Sequence, residues 1–477
     1  SLNRDIFKFK RVEVPGKLVY DLFKEYYKLQ QDEIKLKMDT EYNLKKSKTV
    51  YQGESFKTLI SKNYETIFKN RVVEGGFKKA FKGNWGSEEH TKRLGAVQDL
   101  NRLSYNSFIS HLRKINLPMD SSSKVVKPRL LHGSQWGIID PVDTPDGGNV
   151  GFHKHMSISA HITSGCSGVP MTHFLRSICN MKLLEECNNK YLYSVTKVML
   201  NGAWIGVISN ASEIVRLIKK YKRNGLLPIY TSCTWNIKKN ELVIFTDSGR
   251  LCRPIFYVDN KEVSFKNNAI LEKINTNNFS WNNLISGFSA KKIKEFDVNT
   301  CNIYKITDLY DTDNFDNLEK TEGIIDYVDT SEEEMSLISS DYDFDKKKLY
   351  TNVEIHPSLL LGVMGNQIVF PENNQLPRDL FFCGQAKQAV SLYSSNFFTR
   401  IDKMGVVLNS GQCPLVKSRY LQFINNEEHP YGENVIVAIM VYGGYNVEDS
   451  ILFNEGSLKR GMFRTTYYNM YESREES

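Results

Sequence analysis

The stretch that most restricts the fold is residues 131–165, which opens LHGSQWGIIDPVDTPDGGNVG. Gly and Pro recur so often that a helix is excluded, and a specified path of turns is predicted. The flanking regions read differently. Upstream, in LVYDLFKEYYKLQQDEIKLKM, Leu18, Leu22, Phe23, Tyr26 and Leu29 recur at helical spacing, and ESFKTLISKNYETIFKNRV repeats the pattern. NRLSYNSFISHLRKINLP predicts a helix ending before Pro118, followed by an exposed loop, MDSSSKVVKPR, with basic flanks. Downstream, KVMLNGAWIGVI predicts a hairpin turning at Asn201-Gly202, with a helix over 212–222. ELVIFTDSGRLCRPIFYVD predicts a second hairpin turning at Asp247-Ser248-Gly249. Residues 260–350 are polar and read as surface. Val435 to Tyr442 is continuously apolar and predicts a strand buried on both faces; Gly443-Gly444 and then Glu448-Asp449-Ser450 follow it.

Composition narrows the class. A chain of 477 residues with 41% hydrophobic and 25% charged residues is neither fibrous nor wholly disordered, and its length suits two to four domains. No run reaches the ~18–20 apolar residues of a membrane span, and the start SLNRDIFKFKRVEV is not a signal peptide. An intracellular protein without membrane contact is expected. The eight cysteines form no C-x-x-C, and no H-x-x-x-H stands beside them, so reduced thiols in a reducing compartment fit better than a zinc site or a disulfide scaffold. The net charge of +7 is unevenly spread. Residues 1–130 carry 27 Lys+Arg against 15 Asp+Glu, whereas residues 301–350 carry 5 against 14. This segregation implies one part facing a polyanion and another facing away from it.

Three places could carry chemistry. Glu448-Asp449 sets two neighbouring carboxylates beyond a double glycine, a pattern suited to Mg²⁺ or simply to a solvated turn. In PENNQLPRDLFFCGQAKQ, Arg378 and Lys387 bring a planar fork and a point charge, with Gln388 beside them. If 384–396 is helical, Lys387 lies in its first turn, where anions are favoured; otherwise these are two exposed basic side chains. Between 91 and 130, Arg93, Arg102, Arg113, Lys114, Lys124, Lys127 and Arg129 interleave with Tyr105 and Phe108. That mixture suits a nucleic-acid surface, and equally a charged helix and loop. G-x-S-x-G, G-x-x-x-x-G-K-[ST] and G-x-G-x-x-G are all missing, which argues against a serine hydrolase or an ordinary nucleotide-binding enzyme.

RDIFKFKR, GNWG, LNRLSYNSFISHLRKINLP, KPRLLHGSQWGIIDPVDTPDGGNVG, LNGAWIGV, FTDSGRLCRP, YVDTSEEE, EIHPSLLLGV, NQLPRDLFFCGQAKQAV and YGGYNVEDSILFNEGSLKRGMFR occur in that order. As a collinear series they resemble the second-largest subunit of multisubunit DNA-directed RNA polymerase, in its eukaryotic polymerase II-like branch. The resemblance implies an α+β multidomain fold, with β-rich external and hybrid-binding domains and a helical N-terminal part. Residues 1–82 would end a lobe or protrusion, 83–150 form a fork, 151–230 and 231–350 two external domains, and 351–477 the first part of the hybrid-binding domain. It also implies template-directed RNA synthesis at a centre shared with the largest subunit. There Glu448 and Asp449 would lie near the second, nucleotide-borne Mg²⁺, and Arg378 would contact the incoming nucleotide's phosphates. Lys387 and Gln388 would line the cavity at the RNA 3′ end. Arg102, Arg113, Lys124, Lys127 and Arg129 would be nucleic-acid contacts, those of the loop without base readout.

Partners would be the largest and other polymerase subunits, the DNA template, the RNA transcript and nucleoside triphosphates. Asp146 stands where the family has Glu, and Phe381 where eukaryotic relatives have Tyr. The family's later hybrid-binding lysine segment and zinc-bearing clamp have no counterpart, and neither does most of its protrusion and lobe. The chain is therefore expected to be a central fragment or one piece of a split subunit, inactive alone. The Asn- and Lys-rich wording resembles that of a large DNA virus, which would place the chain in a cytoplasmic factory or virion; a cellular relative would be nuclear. The alternative is a polymerase-derived nucleic-acid-binding or scaffold protein without catalysis.

Overall fold

The computed structural model describes residues 4–46, 56–266, 276, 280–287, 322–344, 349–425 and 427–476. The fold is α+β, and the chain divides into two units, one of residues 13–100 and one of residues 1–12 with 101–477.

The smaller unit is helical: α1 (Pro15–Lys46), α2 (Phe56–Ile67) and α3 (Val72–Phe81). The helical spacing seen in the sequence buries Leu22 and Tyr26 against Ala80 and Trp85, while Phe23 faces outward and stacks on Tyr27. Gly76 lies directly on the Tyr26 ring, so a side chain there would collide with it.

In the larger unit, α4 (Tyr105–Leu112) is capped by Ser104, whose hydroxyl accepts from the Ser107 N–H. The helix stops earlier than expected. Residues 114–116 form β1 (Lys114–Asn116), antiparallel to β2 (His153–His155), because that strand offers backbone partners nearly forty residues downstream. β3 is His161–Ile162. The Gly/Pro-rich stretch between α4 and β3 is otherwise turns, as its punctuation requires.

A five-stranded sheet follows, ordered β4 (Lys182–Leu183), β6 (Ala203–Ile208), β5 (Thr196–Leu200), β8 (Glu241–Phe245), β7 (Ser232–Asn236). The β5–β6 hairpin turns at Asn201-Gly202, where both residues have positive φ, +49° and +88°. α5 (Val169–Ser177) and α6 (Ala211–Arg223) contribute Phe174, Leu175, Ile214 and Ile218 to a core with Val198, Leu242 and Ile244. This sheet takes strands from both sides of residue 230.

The expected β8–β9 hairpin does not form. The turn is present, with Gly249 at φ +83°, but it hands the chain to a second sheet. There β9 (Leu251–Asp259) pairs with β3, with β10 (Glu262–Val263), with β11 (Ile325–Asp329) and with β13 (Asn352–Val353); β12 (Ile338–Ser339) runs parallel to β13. The turn is held from outside: Gly249 N–H donates to Thr163 O and Gly249 O accepts from Val12 N–H.

The acidic segment after residue 321 also departs from the surface reading. β11 and α7 (Thr330–Glu334) are largely buried, and their carboxylates meet cations from distant elements. Arg223 grips Asp326 at 2.7 Å, Arg250 meets Asp329 at 2.8 Å, and Lys222 lies 3.4 Å from Glu332. Arg253 bridges Glu354 and Glu333, each at 2.6 Å. Burial forces this pairing, since an unpaired charge there would be very costly. Residues 301–321 and 345–348, the rest of the acidic block, lie outside the described residues.

Candidate active-site face

α8 (Leu376–Ala386) organises the first group of candidate residues. Pro377 sits in its first turn, where a missing N–H costs nothing, and this sets the helix start earlier than the 384–396 span entertained from sequence. The consequence is an exchange of places. Arg378, not Lys387, occupies the first turn, and Lys387 is the C-terminal cap. Arg378 is exposed, its guanidinium lies 5.6 Å from the Phe381 ring, and it makes no ion pair among the described residues. Gln388 is exposed just beyond the helix.

Lys387 is held. Its Nζ lies 2.5 Å from Asp143 Oδ1 and 3.4 Å from His155 Nε2, and its carbonyl accepts from Ser104 Oγ at 2.8 Å. Asp143 is 3% exposed. Beneath it lies Asp140, which accepts from the N–H groups of Val142 and Gly365. Burial, then the neighbouring Asp143, pushes the Asp140 carboxyl up to about 7. Burial brings His155 down to about 4, so its ring is neutral near pH 7. Asp140, Asp143 and His155 were not singled out from sequence. The only hint was two aspartates flanking Pro-Val inside a turn-rich stretch.

Glu448 and Asp449 are exposed, and both adopt left-handed backbone, φ +55° and +65°. Two successive non-glycine residues in that region carry strain of order 1–3 kcal/mol each. The preceding apolar run does not bear out the buried-strand expectation. Val435–Tyr442 has exposed side chains and belongs to no sheet among the described residues; β14 (Met404–Leu408) pairs with β15 (Thr465–Asn469). No hydrogen bond or ion pair joins 445–450 to 374–388 among the described residues.

The basic residues of the fork-like stretch divide into two groups. Arg102, Lys124 and Lys127 are exposed, and Arg102 lies 5.1 Å from the Phe108 ring. Arg113 and Arg129 turn inward, onto backbone carbonyls. Arg113 donates to the carbonyls of Ser157, Ile158 and Ala160. Arg129 donates to Gly148 and Val150 at 2.6 and 3.0 Å and to Ser121 and Ser123 at 3.2 and 3.0 Å, with its guanidinium 3.8 Å from the Phe152 ring. In both cases the acceptors are carbonyls of turns outside any named strand.

Comparison with known proteins gives the family. Three family profiles match in order: "RNA polymerase Rpb2, domain 3" over residues 98–162, domain 4 over 198–259 and domain 6 over 364–477. DNA-directed RNA polymerase II subunit RPB2 of Encephalitozoon cuniculi is 32% identical over 99% of the chain. The chain belongs to the Rpb2 family, the second-largest subunits of DNA-directed RNA polymerase. DNA-directed RNA polymerase II subunit 2 of Arabidopsis thaliana is likewise 32% identical over 99% of the chain, and subunit Rpo2 of Sulfolobus acidocaldarius is 30% identical over 99%. The chain spans under two-fifths of the length of these relatives: 38%, 37% and 38%. Within the Rpb2 frame, Ser104, Asp143 and His155 fall in the domain 3 match and Lys387 in the domain 6 match. The Lys387 contacts therefore tie two Rpb2 domains together. Among the described residues no helix is long and apolar enough to cross a membrane.

Proposed function

We propose that this chain contributes to template-directed RNA synthesis from nucleoside triphosphates, at a centre completed by the largest polymerase subunit. One observation carries the proposal. Within an Rpb2-type chain, Arg378, Glu448 and Asp449 are exposed and make no ion pair among the described residues, whereas the half-buried Arg223 and the buried Arg250 and Arg253 are paired internally.

Among the described residues no cluster of three or more His, Cys, Asp or Glu could cage a metal ion. The hard carboxylates of Glu448 and Asp449 suit an ion that brings its own further ligands, as Mg²⁺ does when bound to a nucleotide. When bound, Mg²⁺ would neutralise charge on the phosphates. Arg378 would orient a phosphate through its planar fork. Lys387, with Gln388 beside it, would face the RNA 3′ end. Arg102, Lys124 and Lys127 would attract the nucleic-acid backbone without reading bases. The fork, external and hybrid-binding assignments follow the same frame, with a nuclear location for a cellular polymerase II and a cytoplasmic factory or virion for a viral one.

The test is reconstitution with the partner subunits. Arg378→Ala and Asp449→Ala should each slow nucleotide addition by about 10²-fold, in line with loss of one preorganised charge contact. Wild-type rates in both variants would refute the site. The chain alone should not polymerise nucleotides, and template-dependent incorporation by it would overturn the shared-centre reading. Nucleic-acid binding without synthesis in the full assembly would favour the scaffold alternative.

A further inference from the structure

The ammonium of Lys387 has three N–H donors and a defined setting for two of them. Asp143 Oδ1 takes one at 2.5 Å. The second follows from the histidine tautomer. His155 Nδ1 lies 2.9 Å from the Asp143 carbonyl oxygen, which can only accept, so Nδ1 carries the proton. Nε2 is then a lone pair, and it lies 3.4 Å from Lys387 Nζ. The backbone is pinned as well, since Ser104 Oγ donates to Lys387 O at 2.8 Å and Asn106 Nδ2 to Ala386 O at 3.5 Å. Asp143 is itself steadied by Ser110 Oγ at 3.4 Å. The Lys387 side chain remains 21% exposed while the Asp143 side chain is 3% exposed. The cation therefore stands at the rim with its anchor buried behind it.

We infer that Asp143 and His155 are positioning residues that fix the Lys387 ammonium and leave one N–H directed outward toward a phosphate or hydroxyl of the RNA end. They touch no substrate themselves and act through the lysine. The inference rests on the proposed function for the identity of the ligand, but the positioning itself does not. Lys387 presents one aimed donor with its charge largely offset by Asp143, unlike the exposed cations of Lys124 and Lys127. Such a group favours geometry over bulk attraction, which suits a chain end that must be held in register.

Amine acylation of the full chain, read lysine by lysine by mass spectrometry, separates the two levels. In the wild type Lys387 should react several-fold more slowly than exposed Lys124 and Lys127. Asp143→Asn should raise its rate about five-fold while buried Lys154 and Lys222 stay protected, and Asp143→Glu should restore part of the protection. His155→Asn can still donate to the Asp143 carbonyl and removes only the Nε2 acceptor; it should raise the Lys387 rate about two-fold. Because it leaves the carboxylate intact, it decides the matter if Asp143→Asn unfolds the chain and exposes all lysines together. An unchanged Lys387 rate in a folded variant overturns the positioning. In the reconstituted polymerase, altered Lys387 reactivity with unaltered nucleotide addition would uphold the positioning and reject the RNA-end role.

Discussion

Removing Arg253 should damage the larger unit more than any single apolar truncation. Its side chain is 1% exposed and makes three charge-assisted hydrogen bonds, at 2.6 and 2.8 Å to Glu354 and at 2.6 Å to Glu333. Arg253→Met keeps volume but strands two buried carboxylates. Breaking such a buried pair from one side costs about 3–5 kcal/mol, so local opening of β9 and β11 should become roughly 10²- to 10⁴-fold more frequent. Native-state hydrogen exchange on peptides covering Leu251–Asp259 and Ile325–Asp329 reads this opening without requiring the whole chain to unfold in one step. The sign with pH is fixed. Burial already holds the Glu333 carboxyl above its ordinary value, and losing the cation raises it further. A carboxyl whose folded value is raised costs stability as pH rises through the window above its unfolded value, about 4.3. The deficit should therefore be largest near pH 8 and shrink toward pH 5. Arg253→Met combined with Glu333→Gln and Glu354→Gln should recover most of the loss, because no stranded charge remains. A loss under about 1 kcal/mol at pH 8, or a triple variant as unstable as the single, would refute the reasoning.

Other expectations are briefer. Asp140, raised to about 7, gains protons relative to the unfolded chain between about pH 4 and 7, so exchange protection around 138–143 and 362–366 should fall as pH rises through that window. Asp140→Asn should flatten the dependence, and an unchanged slope would count against the buried-carboxyl explanation. Gly137→Ala places a Cβ 2.6 Å from the Arg253 guanidinium at φ +65°, so it should lower the melting temperature by several degrees. Arg129→Ala frees four turn carbonyls and should make the 119–127 loop cleave faster under limited proteolysis, while Lys124→Ala leaves cleavage unchanged.

What the sequence revealed was local. The Asn201-Gly202 turn, the α1 periodicity and the turns after residue 131 each depend on neighbours within a few positions, and each was readable. The misreadings were non-local. Asp247-Ser248-Gly249 looks like a hairpin turn and is a turn, but the partner of β9 was chosen by β11 and β13 far along the chain. The acidic stretch Asp326–Glu333 looks like surface because its cations, Lys222, Arg223, Arg250 and Arg253, lie about 80 to 110 residues away. The carbonyls that hold Arg113 and Arg129 were equally invisible, because composition cannot show an acceptor waiting inside. Arg378, Glu448 and Asp449 were legible as candidates through the family motifs. The Asp143–Lys387 pair was not, since 244 residues separate its halves.

The unpaired ribbon Val435–Tyr442 has a practical consequence. Its sequence, VIVAIMVY, has no charge, proline or glycine, and both of its faces meet water. A segment of that kind is a template for intermolecular sheet growth. For a cell making this chain, time becomes the controlling quantity: every second the ribbon stands open is a second in which two copies can meet through it. Yield at expression should therefore track dilution more closely than it tracks the melting temperature of either unit.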